Sequence, residues 1–203
     1  MTGVLHSLHK PKSADDSKNW FVKFWHFLKK DTWQSWIVSL VLAFVFIKFL
    51  FFPFLSWAFA TPLPLVVVES CSMFHPDDFD SWWQRNGVWY ETHAISQDEF
   101  ENFLFKNGLN KGDIVLVSGR GSYEQGDVLI FNAQYRYPLI HRLIRLDPYD
   151  TKGDNNFGQL PGETNIQEEQ FIGRAVGRVP GLGWIKLIFF EGSKPKEQRG
   201  FCK

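Results

Sequence analysis

A serine that cleaves an amide needs a base to take its proton, a group to hold that base, and donors for the oxyanion that forms. Candidates for each are present in this chain. Ser72 sits in the cluster Glu69-Ser70-Cys71-Ser72-Met73, directly after the β-branched run Val66-Val67-Val68. Such a run fits a buried strand, and a strand end holds a side chain on a rigid element. Three histidines, His75, His93 and His141, follow the long apolar stretch of the chain. His141 lies in an alternating run, Pro138–Leu146, with Leu143 and Arg145 on its own face and Ile140, Arg142 and Ile144 on the other. An unperturbed imidazole, with a pKa of about 6.5, is mostly neutral at neutral pH, the state a base requires. Asp154, in the turn Gly153-Asp154-Asn155-Asn156, is the candidate to accept from the other ring nitrogen. Taken singly, each residue also reads as structure: a strand-end serine, a packed histidine, a turn aspartate.

The elements that must position these groups begin with the apolar stretch, Trp36–Ala60. From Trp36 to Trp57 a helix is roughly 32 Å long, enough to cross a bilayer with aromatic residues at both ends. Asp31-Thr32-Trp33-Gln34 is its expected start, Lys48 a charge that can snorkel, and Pro53 a kink or an end. Before it, residues 1–31 are basic, and Trp20, Phe21, Phe24, Trp25 and Leu28 recur at helical spacing, as in an amphipathic surface helix. Packing of this helix on the soluble domain is the alternative. Lysines crowd the N-terminal flank, whereas Glu69, Asp77, Asp78 and Asp80 follow the apolar run. The positive-inside rule therefore puts the N-terminus in the cytoplasm and the chain after residue 60 outside the cell membrane, in a single pass. Ala58-Phe59-Ala60 fits a cleaved signal peptide, but the apolar run and its leader are both long for one.

The remainder reads as a mainly β domain, residues 61–191. An aromatic insertion covers 77–110, with a capping box at Ser96–Glu99 opening a short helix. Two Gly-Asp turns, at Gly112 and Gly126, feed strands ending near Val117 and Phe131. Further strands are expected over Pro138–Leu146 and Gln170–Val179, and a tight turn over Thr151–Asn156. The run 184–190 is too short to span a bilayer and is a candidate to dip into its surface; 192–203 reads as a flexible tail.

Formal net charge is zero, which removes the electrostatic case for a nucleic-acid partner. The two cysteines, Cys71 and Cys202, make neither a disulfide framework nor a metal spacing, so Cys71 reads as a small packed residue. No cofactor and no metal are expected.

Four stretches carry a resemblance to type I signal peptidases. In order they are Ser70-Cys71-Ser72-Met73 after an N-terminal membrane helix, Lys111-Gly-Asp-Ile-Val115, Gln125-Gly-Asp-Val-Leu-Ile-Phe131 with His141-Arg-Leu-Ile144, and Lys152-Gly-Asp-Asn-Asn156. A histidine at 141, where bacterial members have lysine, resembles the archaeal and endoplasmic-reticulum subfamily. The resemblance implies a signal-peptidase/LexA-like β-fold on one transmembrane helix and a membrane-anchored serine endopeptidase. Its partners would be the signal peptides of secreted preproteins, the lipid bilayer and the secretion translocon. Carried over by position, Ser72 is the nucleophile, His141 the general base, Ser70 an oxyanion or substrate-binding hydroxyl, and Asp154 the orienting acid. Many members carry a further aspartate beyond the first; here that region reads Phe157–Glu163, leaving Asp154 favoured and Glu163 as a weaker substitute. Cys71 replaces a more usual small residue, and Met73–Pro76 is one residue longer than the pattern. Two other readings remain: a same-fold peptidase with a narrower substrate, and a non-enzymatic β-domain that binds an envelope partner.

Overall fold

The computed structural model describes residues 14–202; the expectations for the first thirteen residues lie outside this range. The described chain divides between Pro53 and Phe54 into two compact units. In the first, helix α1 (Ala14–Leu28) is followed by α2 (Trp33–Phe46), where the Thr32 side chain accepts from the Ser35 N–H. Pro53 does not stop the apolar helix. It has no N–H to give to the preceding turn, and just before it the helix widens into one π turn, Ile47–Phe51, before continuing as α3 (Phe52–Phe59). The helical run Trp33–Phe59 is 27 residues long, has a mean hydropathy of 2.5 in its most apolar window, and is long and apolar enough to cross a membrane.

The second unit is built on one antiparallel sheet. Its strands are β1 (Leu65–Val67), β2 (Ile114–Ser118), β3 (Val128–Phe131), β4 (Leu139–Leu146), β5 (Tyr149–Lys152) and β6 (Phe171–Val179), in the order β1-β2-β6-β3-β4-β5. β1 is therefore an edge strand, and the nucleophile candidate follows it. Val68, Met73, Val115, Val117, Val128 and Ile130 form the core beneath that edge, with Val66 and Ile140 packed against it. The segment expected as a turn from Thr151 is strand β5 through Lys152 and turns only at Gly153.

The insertion contains a helix that its polar composition hid, α4 (Phe79–Glu91), capped by Asp78. Its buried side chains Trp82, Trp83 and Tyr90 make a second core with Phe100 and Ile144. The capping box at Ser96 opens α5 (Gln97–Glu101) as expected.

One expectation is corrected by a contact at the C-terminus. Cys71 is not a free packed thiol: it is bonded to Cys202. The chain after α6 (Trp184–Leu187) makes defined contacts, the buried Lys111 ammonium donating to Glu191, Gln198 O and Gly200 O. Nothing in two cysteines 131 residues apart reveals such a pairing before the chain is folded.

Candidate active site

The loop after β1 and the middle of β4 come together at the site. Ser72 Oγ lies 2.9 Å from His141 Nε2, with no other group between them. The Ser70 hydroxyl is 3.1 Å from Ser72 Oγ. On its other side, His141 Nδ1 pairs with Glu163 Oε1. Glu163 is wholly buried, and its oxygens are held by the Thr151 hydroxyl at 3.3 Å and by the Leu160 N–H. Its backbone is fixed too, the Thr151 N–H donating to Glu163 O at 2.8 Å. A carboxylate with its lone pairs occupied in this way has one orientation, so it sets both the tilt and the tautomer of the ring it faces.

Asp154 does not reach His141. Arg142 follows His141 on β4, so its side chain points to the opposite face of the sheet. There the guanidinium takes both oxygens of Asp154, Nε to Oδ1 at 2.9 Å and Nη2 to Oδ2 at 2.7 Å. The Tyr90 hydroxyl donates to Oδ1 at 2.9 Å, and His75 Nε2 lies 3.0 Å from Oδ2. Burial pushes the Asp154 carboxyl pKa up, but the Arg142 charge and the bonds from His75 and Arg142 outweigh it and hold the group well below the usual carboxylate range. Burial likewise lowers His75, against the opposing pull of Asp154. Lys152, which donates to Gly153 O at 3.0 Å beside the rings of Trp89 and Tyr90, is pulled down by burial to about 8.

This second cluster has an indirect link to the site. It anchors the Gly153–Asn156 turn, whose Asn155 N–H donates to Ser72 O at 2.7 Å and whose Asn155 side chain donates to Cys71 O at 3.1 Å. A Cβ at residue 153 would stand 2.8 Å from His141 Nε2 and 2.9 Å from Ser72 O, so glycine is needed for the turn to lie this close. His93 is exposed, lies just past α4 and bonds back to it at Trp89 O. Of the four residues expected at the site, Ser70, Ser72 and His141 converge and Asp154 does not; Glu163 takes its place beside the imidazole. The Phe157–Glu163 stretch was visible in the sequence, but the length of that loop concealed that its last residue folds back onto β5. Among the described residues, no group of three or more His, Cys, Asp or Glu side chains is disposed to hold a metal ion.

A hydroxyl, an imidazole and a carboxylate in line can generate an alkoxide and stabilise the resulting imidazolium. One antiparallel sheet preceded in the chain by one apolar helix is consistent with a signal-peptidase-like fold. Sequence comparison points to the same class. The chain is similar to the signal peptidase complex catalytic subunit sec11 of Sclerotinia sclerotiorum, 29% identical over 98 residues covering 41% of this chain and 57% of that protein. Against SEC11 of Metarhizium robertsii the identity is 28% over 152 residues, 68% of this chain and 70% of that protein. Against SEC11C of Canis lupus familiaris it is 25% over 103 residues, 43% and 54% respectively. The match to the Sclerotinia and Canis proteins thus spans little more than half of their length. No family model matches the chain.

Proposed function

We propose that this protein is a membrane-anchored serine endopeptidase that removes signal peptides from preproteins, with Ser72 as nucleophile, His141 as general base and Glu163 as the acid that orients it. The observation that carries the reading is the unbroken row from Ser72 Oγ through His141 to Glu163. His141 Nε2 takes the hydroxyl proton as Ser72 Oγ attacks the scissile carbonyl, and returns it to the leaving amine. Water, activated by the same nitrogen, then releases the acyl-enzyme. The Ser72 N–H is one donor for the oxyanion and the Ser70 hydroxyl, close to Ser72 Oγ, a second.

The substrate enters as an added strand along the free edge of β1. Small side chains before the cut would fit the shallow apolar wall where half-buried Val66 and Ile140 meet the core. The apolar helix fixes enzyme and substrate to one surface, which raises their effective concentration. The lysine-rich N-terminal flank supports a cytoplasmic N-terminus, and the Cys71–Cys202 bond supports an oxidising compartment for the peptidase domain. The translocon, which delivers preproteins to that face, is the expected neighbour.

The test is incubation of the purified full-length protein with a membrane-embedded preprotein, wild type beside Ser72→Ala. Cleavage by the wild type alone, and fluorophosphonate labelling lost in Ser72→Ala, is the expected result. A folded wild type that neither cleaves nor labels favours the binding module instead.

A further inference from the structure

The chain beyond β6 is gathered around one buried cation. The Lys111 side chain is 1% exposed, and its ammonium donates to Glu191 Oε2 at 2.8 Å, Gln198 O at 2.7 Å and Gly200 O at 2.9 Å. A lysine has three N–H donors, and here all three go to the C-terminal segment. Glu191 in turn accepts from the Gly200 N–H at 2.8 Å; although burial opposes ionisation, the bonds from Lys111 and Gly200 bring its carboxyl down to about 2. Trp184 and Phe201 pack with ring centres 4.5 Å apart. The segment is therefore seated independently of its disulfide.

From that seat it reaches the nucleophile loop at two points. Lys194 Nζ donates to Glu69 O at 3.0 Å, and Cys202 is joined to Cys71, the residue before Ser72. Asn155 grips the same loop through Cys71 O and Ser72 O. The loop Glu69–Met73 carries the reacting hydroxyl but belongs to no strand; its far end is held by the buried Met73, whose carbonyl accepts from the Leu109 N–H at 2.7 Å, and the stretch Glu69–Ser72 by these outside contacts. On the Asn155 side they are hydrogen bonds; on the C-terminal side one of them is covalent.

We propose that residues Glu191–Cys202 form a covalent strap that positions Ser72, making Cys71, Cys202 and Lys194 positioning residues for acyl transfer. The proposal rests on Ser72 being the nucleophile. Active groups must be held within about 0.5 Å of productive geometry, and a misplacement of about 1 Å can cost on the order of 100-fold in rate. Opening the bond with a trialkylphosphine makes the consequence explicit: phosphine, disulfide and water give phosphine oxide and two thiols, and the loop loses its covalent hold. Access of substrate to the β1 edge is left as it was, so the effect falls on kcat rather than KM.

The experiment measures kcat and KM of the full-length enzyme on a preprotein for the wild type, Cys71→Ala, Cys202→Ala, the double variant and Ser72→Ala, each with and without phosphine. Both single cysteine variants are expected to lose about 10-fold or more in kcat with KM little changed, consistent with a displacement well under 1 Å. The double variant should match either single one, because one bond is lost only once. Phosphine should impose the same loss on the wild type and none on the cysteine variants, and Lys194→Met should give a smaller loss in kcat. A Cys202→Ala enzyme with wild-type kcat and only a lower melting temperature overturns the strap and leaves the catalytic serine standing. If the cysteine variants fail to fold, the phosphine arm decides: reduced, still-folded wild type at full kcat overturns the strap. Cleavage retained by Ser72→Ala overturns the reading beneath it.

Discussion

Among the described residues two histidines face buried carboxylates, one on each face of β4. His141 pairs with Glu163 on one face, while His75 pairs with Asp154 on the other, where Arg142 points. As pairs they are alike; their remaining contacts separate them. His141 Nε2 is directed at a hydroxyl, Ser72 Oγ, beside the open edge of the sheet. His75 stacks on Trp82 with ring centres 3.7 Å apart, its Nδ1 has no partner among the described residues, and its carboxylate is already taken by Arg142 and Tyr90. The first pair has a ring nitrogen free to move a proton. The second ties α4, β4 and the Gly153 turn together. A histidine–carboxylate pair thus becomes a candidate for catalysis only when the other nitrogen meets a nucleophile.

The sharpest separation is in the histidines themselves. His141→Ala should lower cleavage by about 1000-fold or more, far beyond the stability it costs by leaving the buried Glu163 carboxyl without its imidazole partner. His75→Phe, which keeps the stacking on Trp82, should keep cleavage by the folded protein within severalfold while costing about 1–3 kcal/mol in urea unfolding through the unpaired Asp154 oxygen. Equal losses of cleavage in the two variants would erase the distinction.

Next in size is Asp154→Ala. It strands the wholly buried Arg142 guanidinium, and loss of one partner from a buried pair costs about 3–5 kcal/mol. Its effect on cleavage should follow from misfolding or from a displaced Asn155 turn rather than from the imidazole. Denaturant unfolding beside kcat of the folded fraction separates these.

A smaller effect lies in the pH dependence of stability. His75 has a lowered folded-state pKa, so below about 6.5 the unfolded chain takes up a proton that the folded chain refuses, and stability falls with pH. Asp154 is also lowered, and its contribution is complete above about 3.9 and lost as pH falls beneath that value. Both slopes have the same sign. The melting temperature should decline below pH of about 6.5 and steepen below about 4. His75→Phe should remove the upper part of the decline.

Much of this arrangement was readable before folding. The alternation of Pro138–Leu146 put His141 and Arg142 on opposite faces. The Val66–Val68 run marked β1, although Ser72 lies in the loop beyond that strand rather than at its end. That same alternation held the clue to which carboxylate faces the imidazole: Arg142 takes Asp154, leaving His141 to another carboxylate. How the Phe157–Glu163 loop returns to β5 is not readable from residue spacing, so nearness along the chain favoured Asp154, which the fold keeps away from the imidazole. Helix α4 was hidden because its buried tryptophans lie among charged residues, and the disulfide because a single pair of distant cysteines has no spacing to read.

The most direct measurement sets Glu163→Gln beside Asp154→Asn in preprotein cleavage, with urea unfolding of each. Glutamine keeps the shape of residue 163 but not its charge, and should lower kcat by about 100- to 10,000-fold at little cost in stability. Asparagine at 154 should mainly destabilise the fold, leaving the folded fraction active. A Glu163→Gln enzyme at wild-type rate, beside a folded and inactive Asp154→Asn, would contradict the assignment of Glu163 to the imidazole.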